Sequence, residues 1–102
     1  MIYISSDHRG YELKNYLIKE LTPKGTIVMD LGPFNFNPDD DYPDYAKLVA
    51  KKIQENPHNM GILICANGVG MSIAANKFKG VRASISWNSK HAATSRNDDK
   101  TN

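Results

Sequence analysis

The chain alternates short apolar segments with longer stretches in which apolar residues recur every three or four positions. Four of the short segments are rich in apolar or β-branched residues and are followed by polar or turn-forming residues, which predicts buried strands. They cover residues 2–5 (IYIS), 26–32 (TIVMDLG), 60–66 (MGILICA) and 81–86 (VRASIS). The third is apolar throughout, as expected of a parallel strand that is covered on both faces.

Four helices are predicted between and after these strands, two of them from apolar residues that share one face. These faces consist of Leu13, Tyr16, Leu17 and Leu21 in the first helix and of Ala46, Val49, Ala50 and Ile53, predicted to be buried, in the second. Pro23 and Gly25 end the first helix, and Pro43 suits the first turn of the second. The third and fourth helices are predicted at 68–77 and 88–96.

Strand and helix alternate along the chain, which predicts right-handed crossovers and an open parallel sheet. We therefore expect one α/β domain over residues 1–102, built as a three-layer, Rossmann-like sheet with helices on both faces. Residues 95–102 are polar and add no further strand. A four-stranded sheet is small for this class, so we expect the fold to be shortened at its C-terminus, either as a piece of a larger fold or as a natural short form.

Composition narrows the classes of function. Among 102 residues, 13 are basic and 11 acidic, and these charges are spread without a block. This balance argues against a nucleic-acid partner, for which a basic stripe is expected. The single cysteine cannot form an internal disulfide, and no segment has the pattern of a membrane span or a signal peptide. We therefore expect a cytoplasmic protein without a membrane partner, and a second subunit would help so short a chain to bury apolar surface.

Two polar clusters follow predicted strands, SSDHRG at 5–10 and CANGVGMS at 65–72. Ligands of open α/β sheets collect at the carboxyl ends of the strands. Glycines let backbone amides converge there, and a helix N-terminus favours an anion or a developing oxyanion. The same field favours the thiolate of Cys65, which could then act as a nucleophile or as a general base. The alternative is that Cys65 is a small core residue.

Several known anion-binding loops do not fit this cluster. A cysteine phosphatase loop needs an arginine six positions after its cysteine, where this chain has Met71. A P-loop needs Gly-Lys-Ser/Thr, which does not follow Gly68 at the required spacing. A dinucleotide fingerprint needs several glycines after the first strand, where only Gly10 is present. The functions that remain for the cluster at 65–72 are proton transfer and anion binding without catalysis.

Three separated segments resemble the ribose-5-phosphate isomerase B family, which also includes the galactose-6-phosphate isomerase subunits. They are ISSDHRGYELK (4–14), DYPDYA (41–46) and GILICANGVGMSIAANKFKGVRAS (61–84). The resemblance implies a Rossmann-type sheet and an enzyme that interconverts aldose and ketose sugar phosphates without a metal or a cofactor. It also implies a homodimer, or a dimer of dimers, in which two subunits share each active site.

The resemblance also implies roles for particular residues. Cys65 would be the base that moves a proton between sugar carbons one and two through an enediolate. Asp7 would contact the sugar hydroxyls and assist ring opening, His8 would reach the phosphate, and Tyr42 would close over the sugar. The backbone stabilising the oxyanion would be that of Ala66, Asn67, Gly68, Val69 and Gly70.

The sequence departs from the family pattern in three ways. Asn67 stands where the family usually has threonine. The family's SRxHNDAN is SRNDDKTN here, which places Asp98 at the ring-opening histidine and Asp99 at a substrate-binding asparagine. A protonated carboxyl group at Asp98 could still exchange a proton with the ring oxygen. The family's further strand and helix, with their phosphate-binding arginines, do not appear within residues 1–102, so Arg9 is a candidate phosphate contact.

Plainer roles compete with these assignments. Asp7 could be only a helix cap, and Tyr42 could only pack against its loop. Residues 39–41 are predicted to form a solvated acidic loop, and His91 to be structural. The leading hypothesis is a five-carbon sugar-phosphate isomerase; the alternatives are a six-carbon sugar-phosphate isomerase and a non-catalytic sugar-phosphate-binding module.

Overall fold

The computed structural model describes residues 1–102. Three strands form one parallel sheet in the order β2-β1-β3: β1 (Ile2–Ser6), β2 (Val28–Asp30) and β3 (Met60–Ile64). The helices are α1 (Tyr11–Leu21), α2 (Tyr42–Glu55), α3 (Val69–Asn76) and α4 (Ser89–Asp99), with single 3-10 turns at His8–Gly10 and Thr22–Lys24. None of these helices has both the length and the apolar character that crossing a membrane requires.

The predicted α/β class with helices on both faces is confirmed. Right-handed crossovers in this strand order place α1 on one face and α2 on the other, and α3 packs beside α2. The predicted face of α2 is buried: its four apolar residues are at most 4% exposed. Gly61 allows this packing, because a Cβ at this position would lie 2.5 Å from Val49 Cγ1.

The register between β1 and β3 fixes where the loops after these two strands begin. β1 and β3 pair in parallel from Ile2 opposite Met60 to Ser6 opposite Ile64. Both strands therefore end at the same level. Asp7 and Cys65, which follow these last paired residues, start side by side at the carboxyl edge of the sheet.

The apolar face predicted for α1 is only partly covered, since Leu13 is 50% and Tyr16 58% exposed. The buried residue of this helix is Lys14, whose side chain is fully inaccessible. Its Nζ donates to both carboxylate oxygens of Asp30 at 2.8 and 3.0 Å, at the end of β2. The carboxylate compensates the buried ammonium, because an unpaired buried charge is strongly unfavourable.

The strand predicted at 81–86 is wrong, because this segment joins no ladder. Its backbone is held by side chains: Ala83 exchanges hydrogen bonds with the Asn76 amide at 2.9 Å, and Arg82 N donates to Asn102 Oδ1 at 2.9 Å. The sheet therefore has three strands. The alternation of apolar and polar residues in 81–86 predicts a strand with one buried face, but a strand also needs a neighbouring backbone with which it can form hydrogen bonds.

A groove of about 500 Å³ separates segment 81–86 from the outer edge of β3. Ile62, Ile64 and Met71 are among its apolar lining residues. Asn102 closes one end, since its carbonyl accepts from Gly61 N at 2.8 Å. No strand pairs with β3 on this side of the sheet.

Replacing Asp30 with asparagine should leave the Lys14 ammonium buried without a counter-charge. We expect Asp30→Asn to lower the free energy of unfolding by about 3 kcal/mol. Urea unfolding followed by far-ultraviolet circular dichroism measures this loss. Glu55→Gln is the matched control, because it breaks the exposed Lys52–Glu55 pair and should leave the midpoint unchanged. Equal midpoints for Asp30→Asn and the unmodified chain would contradict the role of this pair.

Candidate active site

The turn after β1 is built around Asp7. Its Oδ1 accepts from Arg9 N at 2.9 Å and Gly10 N at 3.1 Å, which makes it the cap of the short 3-10 turn. Its own amide donates to Ile64 O at 3.2 Å. Asp7 therefore caps the turn, and it uses only one of its two carboxylate oxygens to do so. The second oxygen makes no hydrogen bond within the chain.

Gly10 lets this turn approach β3. A Cβ at Gly10 would lie 2.7 Å from the carbonyl oxygen of Ile64 and 2.6 Å from its Cγ2. Real Cβ atoms do not come so close to backbone, so any larger residue would push the turn away from the strand. The contact keeps Asp7 and His8 next to the residue that precedes Cys65.

Cys65 opens a tight turn, residues 65–70, which we call the cysteine turn. Its Sγ accepts a hydrogen bond from Gly68 N at 3.2 Å. Gly68 has φ +80°, a left-handed conformation that glycine adopts without strain. The sulfur is half-buried and lies at the amino end of α3, not sealed in the core. The amide of Gly68 is thereby directed at the Cys65 sulfur.

The remaining residues of the cysteine turn are held locally. Asn67 Oδ1 accepts from Val69 N at 3.0 Å, so its side chain closes the turn. Tyr42, the first residue of α2, lies over Gly70, where a Cβ would be 2.8 Å from two atoms of the phenol ring. Tyr42 is thereby brought to the cysteine turn from a distant part of the sequence.

His8 is held by a carboxylate that sequence analysis missed. Asp40 Oδ1 accepts from both the backbone amide and the Nδ1 of His8, each at 2.8 Å. The Asp40 side chain is only 5% exposed, so its predicted place in a solvated loop is wrong. Asp39 and Asp41, on either side of it, are exposed as predicted. Nothing in three consecutive aspartates marks the middle one as buried.

Arg9 is exposed, and its guanidinium forms no ion pair or hydrogen bond within the chain. Its role as a phosphate contact stays a prediction. His91 lies elsewhere, on α4, where its ring stacks on the exposed Trp87 at 3.8 Å. No group of three or more His, Cys, Asp or Glu side chains is arranged to hold a metal ion.

Asp98 and Asp99 are not brought to the cysteine turn within one chain. The Arg82 guanidinium donates to Asp99 O at 2.7 and 2.9 Å, and Arg82 O accepts from Asn102 N at 3.0 Å. Asn102 O in turn accepts from the amide of Gly61, the second residue of β3. The two exposed aspartates thus lie toward the amino end of that strand, whereas the cysteine turn follows its carboxyl end.

The fold and the site together define a class of protein. It is an open, Rossmann-like α/β domain in which a thiol at the carboxyl edge of the sheet, the side where such folds bind ligands, accepts from a backbone amide at the amino end of a helix. The sequence matches the family described as ribose/galactose isomerase over residues 2–102. The chain belongs to this family.

Individual relatives support the assignment. The probable ribose-5-phosphate isomerase B of Mycoplasma pneumoniae is 52% identical over 101 residues, which cover 99% of this chain and 66% of that protein. The crystal structure of Mycoplasma genitalium ribose-5-phosphate isomerase B with bound ribulose-5-phosphate has a TM-score of 0.94 at 48% identity, covering 99% of this chain and 67% of the other. The Thermotoga maritima ribose 5-phosphate isomerase has a TM-score of 0.93 at 42% identity, covering 99% and 69%. This chain therefore spans about two thirds of the length of these relatives.

Two glycines of the site should respond differently to alanine. Gly10→Ala meets the backbone of β3 and should lower the free energy of unfolding by about 2 kcal/mol, the cost of overpacking. Gly70→Ala meets the end of the Tyr42 side chain, which can rotate away, so the loss should be smaller. Urea unfolding of both variants tests the difference. A loss for Gly70→Ala as large as that for Gly10→Ala would show that the Tyr42 ring is fixed.

Proposed function

We propose that this chain carries the catalytic cysteine of an aldose–ketose isomerase that interconverts ribose 5-phosphate and ribulose 5-phosphate. The observation that carries the proposal is the half-buried Cys65 sulfur, 3.2 Å from Gly68 N at the amino end of a helix. The similarity to an isomerase whose crystal structure holds ribulose-5-phosphate supports the choice of substrate. The Mycoplasma pneumoniae relative contains sequence beyond the matched region, since the match covers 66% of its length.

The reaction needs one base and one site for an oxyanion. The Cys65 thiolate removes the proton from carbon two of the open-chain aldose, and that electron pair forms the double bond of an enediolate. Negative charge develops on the oxygen of carbon one. The amides of the cysteine turn stabilise it, apart from that of Gly68, which donates to Cys65 Sγ, and that of Val69, which donates to Asn67 Oδ1. The thiol then returns the proton to carbon one. The proton of the carbon-two hydroxyl passes to the oxygen of carbon one, so that carbon two becomes the ketone and carbon one carries the hydroxyl. Atoms and electrons balance within the sugar, so the step consumes no cofactor.

The other residues at this edge bind and orient the sugar phosphate. The free oxygen of Asp7 is placed to accept from sugar hydroxyls and to assist ring opening. His8 and Arg9 supply donors for the phosphate, and Tyr42 covers the sugar from the side of α2. Asn67 and the backbone of Ala66 through Gly70 line the oxyanion position. The lone cysteine is compatible with a reducing cytoplasm, where we place the enzyme.

Asp98 and Asp99 enter this scheme from a second subunit. We infer a homodimer, or a dimer of dimers, in which Asp98 of one copy assists ring opening and Asp99 binds the sugar in the site of the other. Their exposure and their distance from the cysteine turn of their own chain support the inference. Exposed aromatic and aliphatic side chains, such as Phe34 at 70% and Ile73 at 56%, offer surface for association.

A six-carbon sugar phosphate is the second candidate substrate, because the matching family is described as ribose and galactose isomerases. The chemistry at carbons one and two is identical for both sugars. Parallel assays with ribose 5-phosphate and galactose 6-phosphate decide between them. A preference for the six-carbon sugar would change the substrate and leave the role of Cys65 intact.

Removing the thiol should abolish turnover but should leave binding of the sugar phosphate intact. We expect Cys65→Ala to lower kcat by about a thousandfold, within the range for loss of a general base. A coupled assay for ribulose 5-phosphate measures kcat, and calorimetry measures binding. Asp39→Ala, a change at an exposed residue of the same edge, is the control and should keep full activity. Unchanged kcat in Cys65→Ala would refute the base assignment, and binding without turnover by the unmodified protein would favour a non-catalytic module.

Shared sites predict complementation between two inactive variants. Cys65→Ala and Asp98→Ala damage different halves of the site, so a hybrid dimer keeps one site with both groups intact. When equal amounts mix at random, half of the dimers are hybrids, and each hybrid has one intact site out of two. The mixture should therefore recover about a quarter of the original activity. Activity of each variant before and after refolding together measures this recovery. No gain on mixing, with both variants inactive and dimeric, would contradict the shared site.

A further inference from the structure

The pair formed by Asp40 and His8 has a feature that the proposed chemistry does not use. One oxygen, Asp40 Oδ1, accepts from the ring Nδ1 and from the backbone amide of His8, each at 2.8 Å. Two donors of the same residue on one acceptor fix the backbone and the imidazole together. The ring therefore has one defined orientation relative to the turn that carries Asp7.

The two partners differ in exposure. The Asp40 side chain is 5% exposed, whereas that of His8 is 27% exposed. Asp40 Oδ2 is buried and has no hydrogen-bond partner in the protein. A buried carboxylate oxygen without a partner is unfavourable, so this arrangement is kept at a cost to stability. Such a cost is typical of a group held for function.

Asp40 reaches His8 because its loop is anchored from several sides. At the start of the loop, Gly32 O accepts from Ser5 Oγ at 2.8 Å and from Ser6 N at 3.1 Å. Phe36 packs edge-on against His8, with ring centroids 6.4 Å apart. On the side of α2, Asp40 lies near Tyr45. The pKa of Tyr45 is raised mainly by burial and further by the charges of Asp40 and Asp44.

The hydrogen bond decides which ring nitrogen is left for a ligand. A carboxylate can only accept, so Nδ1 of His8 carries the proton. The free nitrogen is Nε2, which accepts in the neutral ring and donates in the imidazolium. A protonated ring held in this way gives a phosphate oxygen a charge-assisted hydrogen bond from Nε2.

We propose that Asp40 is a positioning residue for anion binding: it holds the Nδ1–H of His8 and so fixes the orientation of Nε2, which donates to the phosphate of the substrate when the ring is protonated. Asp40 itself does not touch the substrate. The identity of the substrate rests on the proposed function, whereas the control of the His8 ring by Asp40 does not.

The ring can be observed directly. Nitrogen-15 spectra of histidine-labelled protein at about pH 8.5, where an ordinary imidazole is neutral, distinguish the two tautomers. We expect His8 in the unmodified protein to be the Nδ1–H form. Asp40→Ala should release it to a mixture of tautomers, whereas Asp40→Asn, which keeps an acceptor oxygen, should retain most of the Nδ1–H form. Asp39→Ala removes a neighbouring exposed charge and should leave the His8 signals unchanged.

Binding and turnover then separate positioning from mere packing. In Asp40→Ala we expect about a tenfold rise in KM for ribose 5-phosphate, the loss of one charge-assisted hydrogen bond, with kcat within about twofold. Titration with inorganic phosphate should show a weaker response of His8 by a similar factor. Asp40→Asn should fall between Asp40→Ala and the unmodified protein, and it replaces Asp40→Ala if the latter fails to fold.

Each result has a definite meaning. An Nε2–H form in the unmodified protein, or a tautomer unchanged in Asp40→Ala, overturns the proposal whatever the activity. A changed tautomer with unchanged phosphate affinity also overturns it, because Asp40 would then only pack. A changed tautomer and weaker phosphate binding in a protein without isomerase activity support this inference while refuting the proposed function.

Discussion

The site depends on the parallel pairing of β1 with β3. Because Ser6 lies opposite Ile64, these two strands end at the same level. The turn that carries Asp7 and the turn that carries Cys65 therefore begin side by side, although 58 positions separate them in sequence. A shift of one residue would also exchange the two faces of β3, so the register that buries the core is the one that assembles the site.

Glycines allow backbone and rings to meet at this edge. Gly10 brings the first turn against the end of β3, and Gly70 leaves room for Tyr42 above the cysteine turn. Gly68 takes the left-handed conformation that aims its amide at the sulfur of Cys65. These contacts bring the thiol of Cys65, the amide of Gly68 and the phenol of Tyr42 to one edge of the sheet.

Charges at the sheet end are buried in two different ways. Lys14 is compensated on both oxygens of Asp30, so that pair closes on itself and serves stability. Asp40 is compensated on one oxygen only, by a histidine that remains accessible. The Lys14–Asp30 pair is fully hydrogen-bonded within the chain, whereas the Asp40–His8 pair leaves the Nε2 of His8 free for a ligand.

Local sequence pattern was enough to predict the α/β class, the buried face of α2 and the strand that leads into the cysteine turn. Hydrophobic periodicity and glycine placement are properties of neighbouring residues, so they can be seen without knowing what packs against them. Tertiary structure alone decided that 81–86 is not a strand, that Lys14 is buried beneath a half-exposed apolar face, and that Asp40 reaches His8. Each of these depends on a partner far away in sequence, such as Asn102, Asp30 or the turn after β1, and no local pattern specifies the position of a distant partner.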